Sequence, residues 1–153
     1  MIRRLLTRWV SASLDLADSL DWLAPLLMRL YFGYFWAETG LGKLHNLDAF
    51  AQRFAGWNIP YPHLSAALSA YTEWVGGILL MVGLFTRLAS IPLMFNMFVA
   101  IVKVKIKEVT GINDFAEMDE ALYIFVLFWL MMAGPGRVSI DHLIRRACSR
   151  RQA

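Results

Sequence analysis

The chain has 153 residues, 58% of them hydrophobic and 14% aromatic, with a mean hydropathy of +0.49, outside the range of soluble domains. That composition predicts an integral membrane protein. The net charge of +3 sits mainly in the two tails, where anionic lipid is a simpler partner than nucleic acid, so a nucleic-acid function is set aside. The single cysteine, Cys148, excludes an internal disulfide and a Cys-x-x-Cys relay.

In chain order, Ile2, Leu5, Leu6, Trp9 and Val10 fall on one side of a helix, and Arg3, Arg4 and Arg8 on the other. Residues 1–21 therefore read as an amphipathic helix lying in the membrane interface, and no signal peptide is evident in them. A first span is expected from about Trp22 to Leu44, with Pro25 harmless in its opening turn. Asn46 to Leu64 reads as a long loop, stiffened by Pro60 and Pro62, that caps the bundle.

The second span covers about Ser65 to Phe85. The turn at Thr86-Arg87 is so short that the third span, about Leu88 to Val104, must return antiparallel beside it. Pro92 predicts a kink in that span, and the alternation Val102-Lys103-Val104-Lys105-Ile106-Lys107 is read as a fraying helix end rather than a strand. An acidic loop from Glu108 to Asp119 leads to a short fourth span, about Glu120 to Ala133, stopped by Gly134-Pro135-Gly136. The expected fold is thus all-α: a four-helix membrane bundle over 22–134 between the interfacial helix and a basic cytoplasmic tail at 135–153. The arginines flanking its outer ends place both termini in the cytoplasm by the positive-inside rule, with Lys43 and the lysines from Lys103 to Lys107 left facing outward.

The polar residues inside these spans locate the chemistry. An ionised carboxylate in hydrocarbon costs several kcal/mol unless it is paired, protonated or facing a wet cavity, so Glu73 needs a partner or a task. Ala70 and Gly77 share its helix face, and small residues mark the side where membrane helices approach closely, so Glu73 is expected to point inward. Counted from the span ends, Glu38 and Lys103 lie at a similar depth. The expectation is a cluster of Glu38, Glu73 and Lys103, with Asn96, His45 and Tyr71 as further members and Trp36 and Trp74 supplying aromatic surface. Against this stands the reading that Glu73 is paired merely to fix helix register, and that Arg29 is an anchor at the inner surface. His45, His63 and His142 have no spacing that suits a haem, iron–sulfur or zinc site, and no metal site is expected. Glycine-rich nucleotide loops and a Gly-x-Ser-x-Gly elbow do not occur.

Arg29 in Leu27-Met28-Arg29-Leu30, the run Gly40-Leu41-Gly42-Lys43-Leu44, Pro60-x-Pro62, Glu73-x-x-Gly76-Gly77 continuing to Gly83-Leu84-x-Thr86-Arg87, and Gly134-Pro135-Gly136-Arg137-x-Ser139-x-Asp141 together resemble the DoxX family. The resemblance spans about Leu26 to Asp141. It implies a four-helix protein of the bacterial inner membrane, with relatives that include the membrane subunit of a thiosulfate:quinone oxidoreductase. Signature positions carried over by it are Arg29, Gly42, Lys43, Glu73, Gly77, Thr86 and Arg87.

Three functions follow as expectations. The first is a redox-complex subunit that takes a quinone head group, with Glu73, Glu38 and Lys103 moving protons, Arg29, Lys43, Tyr71, Trp74 and Asn96 holding the ring, and a redox partner protein delivering electrons. The second is a small-solute or ion carrier, which four helices could form only as a homodimer. The third is a scaffold that recruits a partner enzyme.

Overall fold

A computed structural model describes residue 9, residues 13–106 and residues 111–150. Residues 13–19 are helical and exposed; the remainder of the expected interfacial helix, residues 1–8 and 10–12, lies outside the described residues. Seven helices follow: α1 Leu23–His45, α2 Leu47–Gly56, α3 Pro62–Val82, α4 Thr86–Ala100, α5 Ile112–Ala116, α6 Asp119–Ala133 and α7 Ile140–Ser149. No strand occurs among the described residues.

Local chemistry explains most of the boundaries. Pro62 opens α3, where its missing N–H is no loss. Gly83 ends α3 in the left-handed conformation at φ 69°, its N–H bonding Leu80 O at 3.1 Å while Leu84 N bonds Leu79 O at 3.0 Å, a Schellman pair. The α4 N-terminus follows at once, so α3 and α4 form the expected antiparallel hairpin. The lysine-rich end of α4 is a π-helical turn over Ile101–Lys105, in which Ile106 N bonds Ile101 O. Gly134, at φ 83°, closes α6.

Two segments expected as loops are partly helical. Within Asn46 to Leu64, α2 forms because Leu47, Phe50, Ala51 and Phe54 fall at helical spacing, and Ala51 and Phe54 bury that stripe against Ala66 of α3. Within the acidic loop, residues 108–110 lie outside the described residues, and α5 is a single turn that leads into α6.

Helices α1, α3, α4 and α6 make the bundle. Its principal contacts are α1 with α3 and α4 with α6, joined by the α3–α4 hairpin. Trp36, Leu80, Leu93, Leu127 and Leu130 form the central core. Two adjacent glycines let α3 approach both neighbours. A Cβ on Gly76 would lie 3.1 Å from the Leu93 side chain of α4, and one on Gly77 would strike the Gly33 and Ala37 backbone of α1. Gly40 meets the backbone of Ala70 and Trp74 in the same way, so α1 and α3 touch backbone to backbone, the close approach that small residues permit in membranes. The outer surface is covered by exposed apolar side chains such as Leu27, Leu68, Leu88, Phe95 and Phe125. Helix α3, with 21 residues, and α4 extended to Lys105, with 20, are long and apolar enough to cross a bilayer. Helix α1 has 23 residues and turns Arg29 into the bundle.

Candidate functional site

The seam between α1 and α3 determines where charge meets charge. Gly40 seats α1 on Ala70 and Trp74, and Lys43, three residues on, is brought over the face of α3 that carries Ala70, Glu73 and Gly77. Glu73 is 2% exposed. Its Oε2 accepts from Lys43 Nζ at 2.5 Å and from Thr39 Oγ1 at 3.4 Å. The ammonium also lies 5.2 Å from the centre of the Phe50 ring of α2, a cation–π contact that ties the pair to the capping helix. A buried carboxylate with one charge-assisted partner and one hydroxyl donor is compensated, as the hydrocarbon setting demands.

This ion pair forms one wall of a cavity of about 610 Å³ that lies among α1 to α4 and the start of α6 and opens to the outer surface beside Leu68 and Phe95. The rest of the lining is mostly apolar, with aromatic side chains from Trp36, Phe50, Phe54, Trp57, Phe95 and Tyr123. Asn96 and Glu120 add polar groups to it, and Asn96 Nδ2 is held by Ser69 O at 3.1 Å. Trp36 is 1% exposed, and its indole Nε1 is buried with no acceptor among the described residues.

Of the residues singled out from the sequence, Glu73, Lys43 and Asn96 line this cavity together, and Glu38, Lys103, Tyr71, Trp74 and Arg29 do not. The cation on Glu73 is Lys43, not Lys103. Lys103 is exposed in the π-helical turn, whose extra residue per turn carries side chains round the axis relative to an ideal helix. Glu38 is exposed on the opposite side of α1 from the Arg29, Gly33, Trp36 and Gly40 stripe. Tyr71 is 52% exposed and stacks near Trp74 at 6.4 Å, both turned away from the cavity wall. Glu120 enters this half of the bundle from the top of the fourth span, as its place in the sequence suggests; Tyr123, Thr39 and the α2 aromatics were missed, and the helical spacing of Phe50 and Phe54 was the signal that could have found the last.

Arg29 serves the other end of the bundle. Fully buried, it donates through Nη2 to Val138 O and through Nη1 to Leu80 O at 3.5 Å, where Gly83 leaves room for the guanidinium. Asp141 completes the same corner. Its carboxylate accepts from Phe85 N at 3.0 Å and Thr86 N at 3.3 Å, capping α4, while its own N–H bonds Gly83 O at 3.0 Å. The last two sequence motifs, from Gly83 to Arg87 and from Gly134 to Asp141, thus meet Arg29 in one structural lock that binds the segment after α6 to α1 and to the α3–α4 turn.

A helical membrane bundle with one end locked and the other holding an ion pair on an aromatic cavity is the class defined by this geometry. The chain belongs to the DoxX family, whose model matches residues 24–106, from α1 through the π-helical turn. It is 31% identical over 140 residues to an uncharacterized membrane protein of Mycobacterium tuberculosis, covering 82% of this chain and 86% of that one. It is also 31% identical over 122 residues to CatD of Bacillus subtilis, a protein named provisionally as an oxidoreductase, with 80% and 87% covered. No solved structure matches the chain at a significant level.

Proposed function

We propose that the cavity receives the head group of a quinone-type carrier, and that the chain acts as the membrane subunit of a redox complex in the bacterial inner membrane, with both termini cytoplasmic. The observation that carries this reading is the juxtaposition of a buried Lys43–Glu73 pair with an aromatic cavity of about 610 Å³. The naming of CatD agrees with it.

The donor set suits a planar ring with carbonyl oxygens. Aromatic side chains stack on the ring, Lys43 offers a hydrogen bond to one of its oxygens, and Thr39 steadies the carboxylate. A quinone bound there takes up two electrons, delivered by a partner protein, and two protons. Lys43 supplies one proton and regains it from water through the Glu73 carboxylate, which takes a proton up and passes it on, and the second proton enters from water beside Glu120 at the start of α6.

The test is binding of a short-chain benzoquinone to the protein in nanodiscs, read by quenching of tryptophan fluorescence. Saturable quenching is expected, weakened about tenfold or more in Lys43→Met, the loss of one charge-assisted hydrogen bond. Quenching that rises linearly and identically in both proteins would refute the site. Glu73→Gln is expected to retain binding and to slow quinone reduction by the complex isolated from native membranes.

A further inference from the structure

A second cavity, of about 180 Å³, lies at the locked end of the bundle and takes no part in the chemistry above. Its walls are Arg87 at the start of α4, Pro135, Gly136 and Arg137 in the turn after α6, and His142 and Arg145 of α7. Three arginines and a histidine converge there, and among the described residues no carboxylate lines it. Arg87 is held in place by the turn: its guanidinium packs on Gly134, whose φ of 83° keeps the backbone clear, and Nη2 donates to Met132 O at 3.2 Å. Arg137 is oriented by Asp21, 3.0 Å away. Each guanidinium has five N–H donors, so both keep several for a ligand. His142 Nε2 is buried without a partner.

The surroundings say which anion fits. Helix α7 presents exposed Ile140, Leu143 and Ile144 beside the cavity, with Arg145 and Arg146 along its other side. An apolar face and a cationic face on one helix mark an element lying at headgroup depth in a bilayer. The cavity has room for a phosphate and its ester oxygens. Acyl chains attached to that phosphate would run along Leu143, Ile144 and the exposed Val138. We propose that this cavity binds the phosphodiester of an anionic phospholipid, with Arg87 and Arg145 as donors to its oxygens. Because Arg87 and the turn belong to the same lock as Arg29 and Asp141, an occupied site staples α4, α6 and α7 to one lipid molecule.

The experiment uses the full chain in detergent, titrated with phosphatidylglycerol or phosphatidylcholine and read by native mass spectrometry. One phosphatidylglycerol per chain is expected to be retained in preference to phosphatidylcholine. Arg145→Gln should weaken that retention about fivefold, the share of one basic residue at a lipid surface. Arg146→Gln, one residue along α7 but off the cavity wall, should leave it unchanged. Equal retention of the two lipids would overturn the proposal. So would equal losses in Arg145→Gln and Arg146→Gln, which would mean unspecific surface charge. Displacement of the lipid by inorganic phosphate at equal concentration would reassign the site to the free anion.

Discussion

Gly77→Ala probes the feature on which the ion pair depends. A Cβ at Gly77 would stand 2.5 Å from Gly33 O and closer still to Ala37 N. Both neighbours are backbone, so no side chain can swing aside. Ordinary contact begins near 3.5 Å, and α1 and α3 would have to part by about 1 Å. Overpacking of a well-filled interior costs about 1–3 kcal/mol, and the upper half of that range applies where backbone meets backbone. For a chain of this size that lowers the unfolding midpoint in detergent by roughly 5–10 °C. The same displacement would stretch the Lys43–Glu73 contact from 2.5 Å to about 3.5 Å, so the cost of Glu73→Gln should be smaller in the Gly77→Ala background than in the parent. Gly42→Ala is the control, because nothing lies within 4 Å of a Cβ there and α1 should gain about 0.5–1 kcal/mol in helix propensity. Equal stability of Gly77→Ala and the parent in thermal unfolding would refute the glycine-seam account. An unchanged Glu73→Gln increment would uncouple the seam from the ion pair.

Three further outcomes are expected. Lys43→Met strands a 2% exposed carboxylate and should cost about 2–3 kcal/mol, held below the usual range because Lys43 keeps a third of its side chain in contact with solvent; the double variant Lys43→Met/Glu73→Leu should recover most of it, and equal losses in denaturant titration would count against a buried pair. Asp141→Ala removes the cap of α4 and should cost about 1–2 kcal/mol, with faster amide exchange at Phe85 and Thr86 as its local signature; exchange confined to α7 would be inconsistent with capping. Gly83→Ala puts a side chain both into a left-handed backbone and into the space of the Arg29 guanidinium, so it should destabilise by about 2–4 kcal/mol, and Arg29→Gln should not relieve the backbone part.

How far the sequence was legible depended on whether a property belongs to one helix or to two. The all-α character, the α3–α4 hairpin and the inward face through Ala70, Glu73 and Gly77 follow from spacing within a single segment, and the structure shows each. Depth along a helix is also countable. The azimuth of one helix against another is not, and so Lys103 was placed beside Glu73 although Lys43 holds it. The π-helical turn compounded this, since a wheel drawn at 3.6 residues per turn misplaces everything within it. Arg29 was read as an anchor at the inner surface and is instead a buried clamp on Val138 O, a carbonyl that lies more than a hundred residues away in sequence. Asp141 sat in a quoted motif without a role, for the helix it caps begins at Thr86. Only α2 was within reach and overlooked, its four apolar residues hidden by the prolines that follow.

The paired glycines of α3 also bear on why a charge is kept inside the molecule at all. Sliding α3 by one residue along α1 would drive Ile78 or Gly76 into the slot now filled by Gly77, and would set Thr72 or Trp74 opposite Lys43. Shape alone forbids the first of these slips, because no side chain larger than hydrogen fits where the two backbones touch. Shape thus fixes the alignment against one direction of sliding, and the acid–base couple is left to oppose only the other, in which Gly76 would take the slot.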